Sequence, residues 1–325
     1  MSKRLDKYFF TYLDEYVFLE LMPEYVKREH LDFMRNVPMP VRKEQVETLV
    51  EDQGIEFKHF TLGMINIIGI NPSFQFAPQY INFLNYVNKD IVKAIVLVGI
   101  EQAKKGDLER ACISFRAALE IAPDDQDALF NYMLVCRNIY DGSDDIDRIK
   151  DFKEEVFEIL LKLEALAPYI DMVHYYLGFA YLNAGKYSEA HSQWERFMEL
   201  SKLEAERNEI EKRLNELREP VLIEQGYTEI INGNHEAGLA ILEKYIDTEH
   251  MKWWPLPYYL GMAYNRTGRF EDALAVLKKA FHGNPSSGEI LAELVIANQA
   301  LGDEVNTEKY RKKLDIIRES SGYGK

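Results

Sequence analysis

Histidines, cysteines and clustered acidic residues are the groups in this sequence able to carry acid–base, nucleophilic or metal chemistry, so their spacing comes first. His174 and His191 fall on different helices of one predicted unit. His235 precedes Glu236 with no second histidine four residues on, so the zinc-protease spacing is missing. Isolated histidines of this kind are packed or solvated rather than ligating, and no metal site is expected. Gly185-Lys186 lies in the stretch Gly178 to Ser188, but a phosphate loop needs glycine where Ala180 stands and a hydroxyl for magnesium where Tyr187 stands. The run Asp141 to Asp147, DGSDDID, lacks the alternating ligands and closing glutamate of a calcium loop and is read as helix-capping aspartates. Cys112 and Cys136 both fall on predicted helices, as inert buried thiols in a reducing cytoplasm. The expectation is therefore no catalytic residue, no metal and no cofactor: the chain is not an enzyme.

Composition narrows the partners. With 39 basic against 54 acidic residues the chain carries a formal charge of −15, which opposes binding to phosphate backbones, and no nucleic-acid partner is expected. Phe60 to Ile70 is the longest apolar run and is too short for the ~20 residues a membrane helix needs, so no membrane insertion is expected. The aromatic stretch from Tyr8 to Met22 is interrupted by Asp14, Glu15 and Glu20, which rules out a secretory core and places the protein in the cytoplasm. An apolar share of 47% against 29% charged supports a folded chain.

What must position any functional residue is a repeat. Starting from a small residue, marks recur seven, twelve and twenty-four positions on: Gly99, Gly106, Ala111 and Pro123, and again Gly261, Gly268, Ala273 and Pro285. Gly178, Gly185 and Ala190 repeat the first three with Lys202 in place of proline; Gly226, Gly233 and Gly238 repeat them with glycine for alanine. The first mark allows two helices to cross closely, and the second sits in the turn between them, where glycine accepts a left-handed backbone. The proline ends the second helix because it cannot donate a backbone hydrogen bond. Phe115, Trp194, Leu242 and Leu277 share one equivalent position, where a bulky side chain would fill the gap between helices.

These residues resemble the tetratricopeptide repeat family, most clearly in PYYLGMAYNRTGRFEDALAVLKKAFHGNP from Pro257 to Pro285, with Tyr181 matching the family tyrosine as Tyr264 does. The resemblance implies an all-α chain, a right-handed α-solenoid of helix-turn-helix repeats with an N-terminal helical cap region. Residues 91–325 would form about five units plus a C-terminal capping helix, Glu304 to Ile317, with Thr307 where alanine belongs. The unit opening near Gln126 is lengthened before Pro168, and the unit holding Trp194 is expected to run on through LEAERNEIEKRLNEL to Pro220 as an extended second helix. Residues 1–90 do not follow the spacing. Helices are expected near Leu5 to Met22, Val41 to Asp52, Lys58 to Ile70 and Pro78 to Val87, docked on the first repeat around Val92 to Val98, or with Tyr8 to Met22 lying in the groove instead.

The resemblance further implies that the first helix of each unit lines a concave groove for a protein or peptide. On that face stand Phe130, Arg137 and Asn138, then Tyr175, Phe179 and Asn183, then Tyr227, then Tyr258, Met262, Asn265 and Arg266, beside the more core-like Leu134 and Ile223. Tyrosine offers large contact area at low entropic cost. Family members that grip chaperone C-terminal carboxylates place lysine, asparagine and arginine on these helices; here Val96 and Ile100 occupy two of those places, so that partner is not expected. The function implied is a non-enzymatic protein- or peptide-binding scaffold, the alternative being a peptide-sensing regulator that switches conformation on ligand binding. If Gly261 and Ala273 mark close crossings, Gly261→Leu or Ala273→Leu should each cost on the order of 1–3 kcal/mol. Unchanged melting temperatures for both would show the register to be wrong.

Overall fold

The computed structural model describes residues 3–21, 27, 32–47 and 56–320. They form two compact units, Met1–Leu177 and Gly178–Lys325. The first unit opens with two 3-10 turns, Lys3–Tyr8 and Phe10–Glu15, followed by strand β1 (Tyr16–Leu19). Strand β2 (Met39–Arg42) pairs antiparallel with it, Tyr16 opposite Arg42 and Leu19 opposite Met39. Then come α1 (Lys43–Glu47), α2 (Phe57–Ile70) and α3 (Ala77–Val87). The helices expected near Lys58 to Ile70 and Pro78 to Val87 are present; the one expected near Leu5 to Met22 is replaced by 3-10 turns and a strand, and that expected near Val41 to Asp52 is helical over Lys43–Glu47 after a strand that ends at Arg42, while Met22 and residues 48–52 lie outside the described residues. Tyr16-Val17-Phe18 is β-branched and aromatic, a composition that suits a pleated surface. Pro40 also removes a backbone donor and pushes its predecessor towards extended geometry, which favours strand over helix on the partner segment.

Four further helices complete the repeats of this unit: α4 (Ile91–Lys104), α5 (Leu108–Ile121), α6 (Gln126–Asp141) and α7 (Ile146–Leu166), packed as the pairs α4–α5 and α6–α7. Gly99 marks the crossing of α4 with α5. A Cβ there would stand 2.8 Å from the Phe115 ring, closer than real Cβ contacts, so the α4 backbone itself is what touches the ring. The N-terminal turns lie on the second helices of these pairs rather than on Val92 to Val98 or in a groove. Leu97 and Val98 stay exposed, while Leu5 and Phe9 are fully buried. The anchor is Arg116 of α5, itself fully buried: its guanidinium pairs with Asp6, donates from Nε to the Gly69 carbonyl at 2.7 Å and lies under the Phe9 ring. Arg4 bridges Glu154 and Glu158 of α7, and the Tyr8 hydroxyl donates to Asp151. Cys112 and Cys136 face each other across α5 and α6 with sulfurs 3.9 Å apart, buried and free; burial, then the neighbouring Cys112, pushes the Cys136 thiol well up from its ordinary range.

α8 (Asp171–Asn183) contains the boundary between units, and the second unit continues with α9 (Tyr187–Leu200), α10 (Glu204–Ile231), α11 (His235–Leu242), α12 (Pro255–Arg266), α13 (Phe270–Gly283), α14 (Gly288–Ala300) and α15 (Glu304–Ser320). The pairs α10–α11, α12–α13 and α14–α15 stack in order, burying Leu239, Leu260, Leu277 and Leu291 in one core. At the three crossings, a Cβ on Gly178, Gly226 or Gly261 would fall 2.1 Å from Trp194, 2.4 Å from Leu242 and 2.4 Å from Leu277, and all three large residues are fully buried. Gly106, Gly185, Gly233, Gly268 and Gly302 hold φ between 71° and 88°, where a side chain is strained, so the turn mark of the repeat has a conformational cause. One expected element is different. The charged segment before Pro220 does not extend α9 but opens the long first helix α10, which carries Pro220 inside it. Ser201 is extended at the end of α9, and the Arg207 guanidinium ties the break by donating to the carbonyls of Met198 and Ser201.

Removing Asp6 leaves a buried guanidinium without its carboxylate, so Asp6→Ala should cost about 3 kcal/mol in urea unfolding. The double variant Asp6→Ala/Arg116→Met, which removes the stranded charge as well, should lose less. A double variant as unstable as the single one would place the energy in packing rather than in the ion pair.

Candidate functional site

The chemistry-bearing residues are dispersed by the fold. His174 is buried with Nε2 2.9 Å from the Pro168 carbonyl, while His191 sits half-buried on α9 beside Glu195 of its own helix. Gly185-Lys186 is the turn between α8 and α9. In DGSDDID, the Asp145 carboxylate accepts from the backbone N–H groups of Asp147 and Arg148 at the start of α7, which makes it a helix cap. Among the described residues no group of three His, Cys, Asp or Glu is arranged to hold a metal ion.

What the fold gathers instead is aromatic surface, in the second unit. α10 and α12 run side by side as first helices of adjacent pairs, and Tyr227 of α10 stacks on Tyr259 of α12 with centroids 4.8 Å apart and planes 19° from parallel. Tyr258 lies 5.0 Å from Tyr259 and 6.3 Å from Trp254. On the other side of Tyr227 comes Trp253, 6.4 Å away, then Tyr187 at the start of α9, 6.5 Å beyond. None of these rings is in the buried core, and Trp253 is 39% exposed. Glu224 organises the α10 end: it accepts from the Tyr227 hydroxyl at 3.2 Å and from the Ser188 backbone N–H.

A polar knot adjoins the row where α12 meets α14. Glu293 of α14 is buried, and its carboxylate takes a forked pair of bonds from Arg266, at 3.1 and 2.7 Å. Asn265 is also buried; its Nδ2 donates to both the carbonyl and the carboxylate of Glu293 at 2.9 Å, and its Oδ1 has no partner among the described residues. Tyr258 stands on the same face, its hydroxyl 3.9 Å from the Met262 sulfur. Burial first, then the charge of Glu293, raises the Tyr258 phenol to about 12, with Arg266 pulling the other way.

The other groove candidates are placed as follows. Phe130 and Arg137 are half-buried on α6, Arg137 lying 4.9 Å over the Tyr176 ring and 3.4 Å from Asp141. Tyr175 meets Tyr176 edge to face at 5.2 Å. Phe179 packs edge-on to Trp194 at 5.0 Å and so belongs partly to the repeat core. Asn138 and Asn183 are exposed near helix ends. Sequence reasoning missed Tyr259, Trp253, Tyr187 and Glu293. Adjacent Tyr258 and Tyr259 cannot share one helix stripe, yet both meet neighbours here because α12 packs against α10 on one side and α14 on the other. A glutamate within the apolar run of α14 was the available signal for Glu293.

Stacked helical hairpins with left-handed glycine turns define a helical-repeat protein. The family model of the tetratricopeptide repeat matches residues 92–125, which span α4, the Gly106 turn and α5, so this hairpin is similar to that repeat. Among curated proteins none matches. Similar solved structures include the MamA protein, 15% identical over 73% of this chain and 97% of that one with a TM-score of 0.30. The tetratricopeptide-repeat domain of P58(IPK) is 20% identical over 69% of this chain and 60% of that one with a TM-score of 0.38. PilF of Pseudomonas aeruginosa is 15% identical over 72% and 93%, with a TM-score of 0.34.

Because the Tyr258 phenol is held neutral in the folded state, its contribution to stability is complete below pH 10 and is lost as pH rises through about 12. Glu293→Gln removes a negative neighbour and should move that titration down towards 10, followed by carbon-13 tyrosine NMR with Tyr258→Phe for assignment. An unmoved titration would show that Glu293 has no part in raising the phenol.

Proposed function

We propose that the protein is a non-enzymatic scaffold that binds a protein or peptide along its first-helix faces, with the second unit holding the principal contact surface. The observation that carries this reading is the partly exposed aromatic row of Trp253, Tyr227, Tyr259 and Tyr258, three of whose rings stand on the first helices α10 and α12 while Trp253 lies in the connection before α12. Rings left outside a core while supporting one another are pre-organised contact area, the type of surface on which binding energy concentrates. Arg266 and Glu293 give the row a polar edge that would orient a bound segment. Of the earlier groove residues, Tyr227, Tyr258, Met262, Asn265 and Arg266 fit this surface; Phe130, Arg137, Asn138 and Tyr175 belong to the first unit and would serve a separate contact, while Phe179 and Asn183 are the weaker candidates of the second.

No helix among the described residues is long and apolar enough to cross a membrane. The free, closely spaced thiols support a cytoplasmic setting, and the charge of −15 supports protein rather than nucleic acid as partner.

Selection of displayed random peptides on the full chain tests the reading. The triple variant Tyr227→Ala/Trp253→Ala/Tyr258→Ala should keep its helical circular dichroism and lose at least tenfold in affinity for the enriched peptides, about 1.4 kcal/mol or more. Enriched peptides that bind the triple variant as well as the parent would place the surface elsewhere, and no enrichment at all would remove the proposal.

A further inference from the structure

The first unit contains a cavity of about 460 Å³ between α2 and α4. Protein interiors rarely leave voids larger than a water molecule, whereas small-molecule sites of 300–1,000 Å³ are the ordinary size for bound ligands. The opening has a structural origin. α2 is pinned elsewhere by two glycines: a Cβ on Gly63 would fall 2.0 Å from the Pro40 carbonyl oxygen, and one on Gly69 2.0 Å from that of Ile113 on α5. With its seats taken by β2 and α5, α2 stands off from α4 and leaves the space.

The lining is asymmetric. Ile65, Ile91 and Ile95 give an apolar wall, and the Ser114 hydroxyl is already satisfied by Gln102 at 2.7 Å. Among the described residues the one formal charge in the lining is Arg42. Its Nε donates to the Tyr16 hydroxyl at 3.3 Å and Nη1 lies 3.5 Å from the exposed Glu44 carboxylate, which leaves Nη2 without a partner among the described residues. His59 also lines the cavity, and its Nδ1 is buried with no partner among the described residues. A buried polar atom left unpaired costs on the order of 1–3 kcal/mol, which a bound acceptor or donor recovers.

We propose that this cavity binds a small monocarboxylic acid with an apolar tail, its carboxylate held by Arg42 and the Nδ1–H tautomer of His59 and its tail laid along the three isoleucines. A guanidinium presents the planar donor fork that matches a carboxylate and repels an ammonium head. The volume has room for a tail on the order of ten methylene-sized groups. This site is separate from the aromatic row of the second unit and does not depend on it.

Calorimetric titration of the full chain with decanoate tests the assignment. Saturable binding at one per chain is expected, with decanol and decyltrimethylammonium at least tenfold weaker. Arg42→Gln should weaken decanoate at least tenfold while leaving decanol binding unchanged, an effect that unfolding would not reproduce. Ala94→Phe, which fills the cavity from α4, should abolish binding of both while the melting curve is retained. Absence of decanoate binding, equal affinity for the three head groups, or undiminished binding by Ala94→Phe would overturn the proposal. So would stronger binding of a Leu-Ile-Leu peptide carboxylate than of decanoate, which would make the ligand a chain terminus.

Discussion

In the crossings at Gly99, Gly178, Gly226 and Gly261, the backbone of a first helix rests directly on one large side chain of its second helix, with no room for a single carbon between them. Everything else in the repeats follows from that contact distance. A helix that approaches so closely buries its neighbour's ring or isopropyl group completely, as Phe115, Trp194, Leu242 and Leu277 are buried, and fixes the angle at which the pair crosses. The left-handed glycine turn then only has to return the chain at that angle. The outward faces, released from packing within the pair, are free to stack on the next pair or to remain half-exposed, and it is on such faces of α10 and α12 that the aromatic row stands.

The N-terminal segment obeys a different constraint. Its own turns are too short to bury apolar surface by themselves, and they are held by charge on the second helices: Asp6 on Arg116, Arg4 on the glutamates of α7. A fully buried arginine is costly without partners, so the segment and α5 stabilise each other, and Phe9 over the guanidinium adds a ring contact to the pair.

How much of this was legible in the sequence depends on the range of the interaction. The marks of the hairpins are local, because a glycine and the residue that covers it are sixteen positions apart in all four crossings, and spacing alone exposed them. The strand pairing of Tyr16–Leu19 with Met39–Arg42 was missed because a short aromatic run has no periodicity long enough to separate strand from helix. Pro220 was read as a terminator when it lies inside α10, where its missing donor removes one bond from a 28-residue helix. Of the candidate site, the tyrosines on first helices could be named, but Trp253 sits in a connection outside the helix register, and Glu293 reaches Asn265 and Arg266 from the following pair. Neither relation is written in any single unit.

The Asp6–Arg116 pair spans 110 residues, whereas the glycine crossings of four hairpins close over sixteen. Loop-closure entropy grows with the logarithm of length, and contacts of short separation form early. The hairpins should therefore assemble before the amino-terminal turns arrive, and during synthesis those turns leave the ribosome well before α5 exists to receive them. For that interval Leu5 and Phe9 have no surface to cover, so a segment made before the hairpins is among the last to find its place.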